Sequence, residues 1–330
     1  MTPTSFRWRD GERVVRFGRD ALQDAPDLLG SGYLLLTTPR AAEAAAGIVE
    51  AAGERHDVPS GRVDDIGADL LDRLGDLTGI LIVALGGGRV IDVAKGVAGA
   101  AGASGVAAVP TTLSSAEMTP IHRSPRGRDL KPLRPRIVLN DPALCASQPE
   151  PQLAASAANA LAHAVESPTT RRASPVPTLA AHEAARLIAG AWAGGEPDRD
   201  ALALGSLLAG YAIDGPGYGL HHVAAQTLVR EAEVEHGAAN AALLPHTIVA
   251  MRRRAPEPMA ALDAVLAADA AAVAADLARR AGTERLRDLG VAREDLEDIA
   301  AAAASREAAL ANTPPIPDAA ELLELYTEAW

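Results

Sequence analysis

The chain has 330 residues, 48 % of them apolar and 22 % charged, with a net charge of −12. That is long enough for two domains with real cores. Only nine residues are aromatic, which argues against a surface that stacks bases, and the acidic balance argues against a phosphate-backbone binder. Nucleic acid is therefore not an expected partner. The single cysteine, Cys145, excludes an internal disulfide framework and a Cys-rich zinc module. No apolar run suggests a bilayer span. The first residues carry Arg7, Arg9, Asp10, Glu12 and Arg13 where a signal peptide would need apolar side chains. The expectation is a soluble, cytoplasmic protein with no membrane association.

In chain order, Val14–Phe17 reads as a short strand and Tyr33–Leu36 as a buried parallel strand. The Ala-rich stretch 40–53 reads as a helix. Ile80–Leu85 is the strongest strand signal and ends in Gly86-Gly87-Gly88. A helix pattern follows over Val90–Ala101, then a strand over Val106–Val109 closed by Pro110. Strands alternating with helices imply a parallel α/β layer. From about residue 147 the strand signals stop. Ser147, with Pro149 and then Glu150, has the form of a helix start, and the rest reads as helix, with breaks at Gly194-Gly195, Gly215-Pro216-Gly217, Pro245 and Pro314-Pro315. In the Ala-rich stretch 259–310, Leu262, Val265, Leu266, Val273, Leu277, Leu286 and Leu289 supply an apolar face, so packed helices are expected there. The expected organisation is an α/β domain over 1–148 and an all-helical domain over 149–330.

A strand ending in three glycines and opening a helix is a phosphate-binding design. Glycine lets the backbone approach an anion, and the helix N-terminus offers free N–H groups. A tight turn is the plain alternative. Arg89, Asp92 and Lys95 follow in the first turns. A second strand ends in Thr111, Thr112 and then Ser115, again a small hydroxyl-rich loop, although a simple turn or helix cap explains such residues too. Ligands bind beyond the C-terminal ends of strands in open α/β sheets, and two such loops favour a nucleotide. Thr37 to Arg40 follow the Tyr33 strand without an acidic residue. A ribose 2′-phosphate is then not repelled, and Arg40 is placed to pair with it, or is simply a surface arginine at a helix start.

Four of the eight histidines lie in two short segments. Asn159 and His163 are four apart, hence on one helix face with Glu166 beside them. His221 and His222 open the second segment, with Gln226 four beyond His222, and His236 follows fourteen residues after His222. Such a set could form a three-histidine site. His56, His122 and His182 stand in polar contexts and read as surface residues. Arg252-Arg253-Arg254 reads as a solvated helix end.

The glycine loop Gly86–Lys95, the Pro-Thr-Thr loop running to Glu117-Met118-Thr119-Pro120, the His-Ala-Val-Glu helix at 163–166, His236-Gly237 with the run to Leu243-Leu244-Pro245, and Asn312-Thr313-Pro314-Pro315 together resemble the iron-containing alcohol dehydrogenase superfamily. Ser115–Pro120, Asn159–Glu166 and Gly219–His222 are most similar to its maleylacetate reductase branch. The resemblance implies a Rossmann-like α/β N-terminal domain binding NAD(P)H, an all-α C-terminal domain (a dehydroquinate synthase-like fold), a substrate cleft between them, and a homodimer. In metal-dependent members an Asp and three His hold Fe²⁺ or Zn²⁺. The matching positions here are Asn159, His163, His222 and His236. A neutral Asn removes one charge and weakens the site, so a metal-free site is expected, as in the reductases. Gln226 stands where the family often has a second histidine and cannot act as acid or base. Arg89 stands where Ser is usual, and Glu235–Asn240 departs from the reductases' pattern.

The leading expectation is an NAD(P)H-dependent reductase of a small carboxylate or keto substrate, with His163, His222 and His236 stabilising an oxyanion and one protonated histidine supplying the proton. A metal-dependent alcohol dehydrogenase with Asn159 as ligand comes second. A non-redox cyclase, lyase or dehydratase on the same scaffold, suggested by Gln226 and Arg89, is the third.

Overall fold

The computed structural model describes residues 5–120, 123–145 and 148–330, and the chain divides into two compact units, Met1–Ser147 and Gln148–Trp330. The first unit runs β1 (Phe6–Asp10), β2 (Arg13–Phe17), α1 (Ala25–Leu29), β3 (Tyr33–Thr37), α2 (Pro39–Ala44), α3 (Ala46–Glu50), β4 (Ala52–Asp57), α4 (Val63–Arg73), β5 (Leu81–Gly86), α5 (Gly88–Ala101), β6 (Gly105–Pro110) and β7 (Ile137–Asn140). Its seven strands form one sheet in the order β1-β2-β7-β6-β5-β3-β4. Only the β1–β2 hairpin is antiparallel.

Both sheet faces are covered, which is why the central strands are continuous apolar runs rather than alternating ones. Leu34, Leu36, Ile82, Ala84, Val106 and Ala108 pack with Ile66 and Leu70 of α4 and with Val90, Ile91 and Val97 of α5. Their neighbours Tyr33, Leu35, Val83, Leu85, Ala107 and Val109 face the other way, onto Ala25, Leu29, Ala41 and Ile48. Small residues dominate, so the helices lie close to the sheet.

Strand order also locates the ligand edge. From β3 the chain steps outward to β4, then returns to the other side of β3 for β5 and continues through β6 and β7. The order reverses between β3 and β5. The switch point is therefore flanked by Thr37 at the end of β3 and Gly86 at the end of β5, the kind of crevice that takes a ligand in open α/β sheets.

The helix expected over 40–53 is in fact α2 and α3, broken at Ala45 (φ −143°, ψ 61°), followed by β4. β4 is the polar edge strand Ala-Gly-Glu-Arg-His-Asp, and edge strands need no apolar pattern. β1 and β7 also escape the sequence reading, β1 because it is a polar edge strand and β7 because it is only four residues long.

The second unit is all helical: α6 (Glu150–Glu166), α7 (Pro175–Gly190), α8 (Arg199–Asp214), α9 (Leu220–Glu231), α10 (His236–Arg254), α11 (Pro256–Leu266), α12 (Ala270–Ala281), α13 (Leu296–Ala304), α14 (Glu307–Leu310) and α15 (Ala319–Ala329). α6 is buried from Leu153 to Glu166 except at Ser156, among α7, α8, α10 and α12. Its alanines let four neighbours approach one helix, and helical stability comes from that packing. Among the described residues, no single helix is long and apolar enough to cross a membrane.

Three details differ from expectation. Pro245 does not break its helix: α10 runs through it, held by the fully buried Leu243, Leu244, Thr247 and Ile248. The arginine run is not simply solvated. Arg252 pairs with Asp263 and Asp269, each at 2.9 Å, and the buried Arg254 pairs with Glu321. His182 is half-buried, with Nε2 shut off from water and burial lowering its pKa. The expected roles of His122 and Ser147 lie outside the described residues; α6 begins at Glu150, after Pro149.

Gly86 is the tightest point of the β5–α5 turn. A Cβ there would sit 2.6 Å from Val90 Cγ2, and valine on a helix has little rotamer freedom to give way. Gly86→Ala should cost about 1–3 kcal/mol by overpacking. Combining it with Val90→Ala should cost less than the two single losses added together, as read from chemical denaturation midpoints. Full additivity would contradict this contact.

Candidate functional site

The first candidate region is the glycine turn. Gly87 is the N-cap of α5, with extended backbone (φ −79°, ψ −174°) and no side-chain cap hydrogen bond. A helix start whose N-cap offers no acceptor of its own is suited to an anion. A Cβ on Gly87 would lie 3.0 Å from the Thr112 side chain, and one on Gly88 would lie 2.9 Å from Ser114 Cβ. The second loop thus packs directly on the first, and Thr111 N–H bonds Gly86 O at 3.0 Å. Thr111 and Thr112 are half-buried, whereas Ser115 is fully buried with left-handed backbone (φ 61°).

The other expected nucleotide residues divide. Arg89 and Arg40 are exposed. Thr37 is turned inward: its hydroxyl donates to Leu85 O at 2.9 Å, tying β3 to β5 across the switch point. Lys95 is wholly buried, with Nζ 3.0 Å from Asp92 Oδ1. Beneath the loop lies Glu117, which the sequence reading did not place in the site. It is buried, its Oε2 has no hydrogen-bond partner, and burial pushes its carboxyl up to about 7 against the pull of Lys95 and Arg13. The uncapped helix end, the glycine cradle and the switch point fit a dinucleotide pyrophosphate. Thr37 and Lys95 support that cradle from within rather than forming its surface.

The second region lies wholly in the helical unit. Asn159 and His163 are buried on α6, one turn apart. His222 is buried in the first turn of α9. His222 and His163 stack with ring centroids 4.6 Å apart and planes within 7°, and Tyr218 stacks on His222 at 4.4 Å and 8°. Tyr218 and His163 are 5.8 Å apart. Rings on opposite faces of His222 would be about 7 Å apart, because carbon atoms in contact stay about 3.5 Å from each other. Tyr218 and His163 therefore lie side by side on one face of His222. His221 meets His222 edge-on, at 5.1 Å and 82°.

Glu166 organises this cluster. It is fully buried at the end of α6. Oε1 accepts the backbone N–H groups of His221 at 2.6 Å and His222 at 3.4 Å, and Oε2 lies 2.6 Å from His222 Nδ1. The α9 N-cap is Gly219, which has no side chain to do the capping. A Cβ there would collide with the Thr313 hydroxyl, which itself accepts Leu220 N–H at 2.8 Å. Asn312 holds the preceding loop through Pro216 O and Tyr218 O at 2.9 and 2.8 Å. Burial raises the Glu166 carboxyl above its ordinary range, opposed by His221 and by the backbone N–H groups of Gly219, His221 and His222.

His236, by contrast, is an exposed residue at the start of α10. Gln226 points elsewhere: its Oε1 accepts from Arg306 at 2.9 Å, and Arg306 also bonds Val223 O and Thr227 Oγ1. The placement of Gln226 in the chemistry is thus replaced by a structural tie between α9 and the turn before α14. His221 is locked between Thr247 Oγ1 at 2.9 Å and Asn240 Oδ1 at 3.0 Å.

Burial lowers the His222 and His221 pKa values to about 3, and that of His163 well below its ordinary value, with the neighbouring histidines adding to the effect in each case. A resting imidazolium at His163 or His222, one of the sequence expectations, is thus opposed by desolvation. His163 Nδ1 and His222 Nε2 are shut off from water and have no hydrogen-bond partner. A buried unpaired nitrogen costs about 1–3 kcal/mol, so these atoms are suited to a ligand. Among the described residues, no three His, Cys, Asp or Glu side chains converge in a metal-holding arrangement. Asn159 adds no charge. The donor set therefore does not fit the Fe²⁺ or Zn²⁺ site that the superfamily implies.

Comparison with known proteins agrees with this architecture. Residues 153–330 match the model for the Fe-containing alcohol dehydrogenase family, C-terminal. The maleylacetate reductase of Sphingobium indicum is 31 % identical over 317 residues, 88 % of each protein. That of Rhizobium sp. (strain MTP-10005) is 31 % identical over 231 residues, 66 % of each. The crystal structure of maleylacetate reductase from Agrobacterium tumefaciens superposes with a TM-score of 0.81 at 25 % identity, covering 100 % of this chain and 99 % of that one. The chain belongs to the iron-containing alcohol dehydrogenase family, an oxidoreductase family with an α/β N-terminal and an all-α C-terminal domain. Within that family it falls in the maleylacetate reductase-like branch.

The buried neutral His221 has a consequence for stability. Its folded pKa, about 3, lies below the ordinary 6.5. Below pH 6.5 the unfolded chain takes up a proton that the folded one refuses, so this residue contributes stability above that pH and loses it as the pH falls toward 3. Glu117, raised to about 7 from 4.5, acts in the opposite sense between those values, so wild type alone is not diagnostic. The difference in unfolding free energy between wild type and His221→Gln should shrink by about 1.4 kcal/mol per pH unit below 6.5. A pH-independent difference in urea titrations from pH 8 to 5 would contradict a buried neutral His221.

Proposed function

We propose that this chain is an NAD(P)H-dependent reductase of a small carboxylate or keto substrate, working without a metal ion. The observation that carries the reading is the pair of parallel buried imidazoles, His163 and His222, each with one unpaired nitrogen shut off from water. In an oxidoreductase family such atoms are suited to engage the hydroxyl of an enol substrate or of an alcohol product. Tyr218 extends the same layer and gives a flat conjugated substrate a surface to lie against. The bound dinucleotide supplies the hydride. Its pyrophosphate would be held at the uncapped α5 N-terminus by Gly86, Gly87 and Gly88, with Thr111 and Thr112 beside them.

The relatives' names support a reductase of an unsaturated keto acid. The departure at 235–240 favours a substrate other than maleylacetate itself. The metal-free reading is supported by the neutral Asn159 and by the absence of a converging ligand set among the described residues. His236, exposed at the start of α10, is read as a contact for the outer part of the substrate.

Two variants test this reading. Gly87→Val should weaken NADH or NADPH binding, followed by fluorescence, at least about tenfold in a protein that still folds, because its side chain would crowd Thr112 and fill the anion's approach. His222→Ala should lower kcat by about 10²–10³ and leave dinucleotide affinity nearly unchanged. Failure of the wild type to bind either dinucleotide, or full turnover in His222→Ala, would overturn the proposal.

A further inference from the structure

Glu166 serves two partners with its two oxygens. Oε1 occupies the N-terminus of α9, where a helix needs an acceptor and favours a negative charge. Gly219, the residue whose side chain would ordinarily fill that role, has none, and could not carry one without striking Thr313. The cap therefore comes from another helix, and this forces the carboxylate to lie in the first turn of α9. His222 sits in that same turn, and its Nδ1 lies 2.6 Å from the second oxygen. His222 is further confined by Tyr218 and His163 on one face and by the edge of His221. Its ring has one orientation, with Nε2 alone left for a ligand.

We propose that Glu166 is the positioning residue of the site: it caps α9 with one oxygen and with the other accepts Nδ1–H of His222, so that His222 presents a bare Nε2 lone pair to the substrate. The tautomer follows from the hydrogen bond on the opposite nitrogen, as in any histidine oriented by a carboxylate. With Nδ1–H committed to Glu166, a neutral His222 accepts a hydrogen bond at Nε2 and cannot give one. Its natural partner is a hydroxyl, so the site is complementary to the alcohol or enol form of the reacting group. The assignment rests on the reductase reading only for the statement that His222 meets the substrate. The tautomer itself is a property of the free protein.

Glu166→Gln separates positioning from capping. The glutamine is nearly isosteric, and its carbonyl oxygen can still accept the two backbone N–H groups of α9. Its amide nitrogen then faces His222 Nδ1 and can only donate, which drives the proton to Nε2. The readout is the ¹⁵N spectrum of histidine-labelled protein, with the His222 signals assigned by their loss in His222→Gln. Wild type should show a protonated Nδ1 and an unprotonated Nε2, and Glu166→Gln the reverse. The variant should keep its dinucleotide affinity while kcat falls about 10–100-fold. Glu166→Asp, which retains an acceptor, should keep the wild-type tautomer and recover part of that loss. A wild-type protein protonated at Nε2 would overturn the proposal, and this holds even if Glu166→Gln fails to fold. An unchanged tautomer and kcat in a folded Glu166→Gln would overturn it as well. If wild type shows the expected tautomer but reduces no carbonyl compound, the reductase reading fails and the positioning role stands.

Discussion

The helical unit is arranged around one buried carboxylate. Placing Glu166 in a protein interior is costly unless its oxygens are engaged, and here both are, by two backbone N–H groups of α9 and an imidazole. Each neighbouring feature follows from accommodating that group. α6 must be Ala-rich so that other helices come close enough to exclude water from its last turn. Gly219 must lack a side chain so that the carboxylate reaches the α9 terminus, and Thr313 must lie across the gap to take Leu220 N–H. Asn312 then fixes the loop that carries Tyr218. One electrostatic requirement thereby sets the positions of three rings.

The α/β unit meets a related requirement by the opposite means. There a helix N-terminus is left uncapped, and the chain removes side chains around it instead of supplying one. Gly86, Gly87 and Gly88 are needed because Val90, Thr112 and Ser114 press against the turn from within. Their absence of Cβ is thus a packing necessity as well as an opening for an anion. Beneath the turn, the buried Lys95 pairs with the half-buried Asp92, and the buried Glu117 lies within the pull of Lys95. The Lys95–Asp92 pair braces the start of α5, and rigidity is what lets backbone N–H groups hold a ligand at fixed distance.

What the sequence makes legible depends on which force shapes each segment. β5 and its glycines are plain because a doubly covered strand must be apolar throughout and a tight turn must be glycine. β4 is hidden because an edge strand with one paired side can be Glu-Arg-His-Asp and reads as a helix end. In the site, His163 and His222 are visible through their spacing and apolar surroundings. Gln226 shares the face of His222 by helical periodicity, yet a long-range partner, Arg306, claims it. No local pattern reports a contact with a residue eighty positions away. Tyr218 carries no signal at all, since one aromatic in a Gly-Pro-Gly loop could as well face solvent. Glu166 could have been found: a carboxylate in an otherwise apolar helix three residues after a site histidine needs a partner, and Gly219 before two histidines is a helix start lacking its cap.

The proposed metal-free site can be related to the family fold in the same terms. A metal site needs several donors aimed at one point and a charge to hold the ion. Here the carboxylate near the histidines is spent on capping α9 and holding Nδ1, and the α6 position that could carry a second one is Asn159. What remains is a dry, neutral pair of imidazoles whose unpaired nitrogens are His163 Nδ1 and His222 Nε2. Such a pair engages a substrate only through directional hydrogen bonds, so its effectiveness depends on which nitrogen carries the proton. On the proposed reading, control of the chemistry lies with a tautomer, and with the carboxylate behind the residues that would touch substrate.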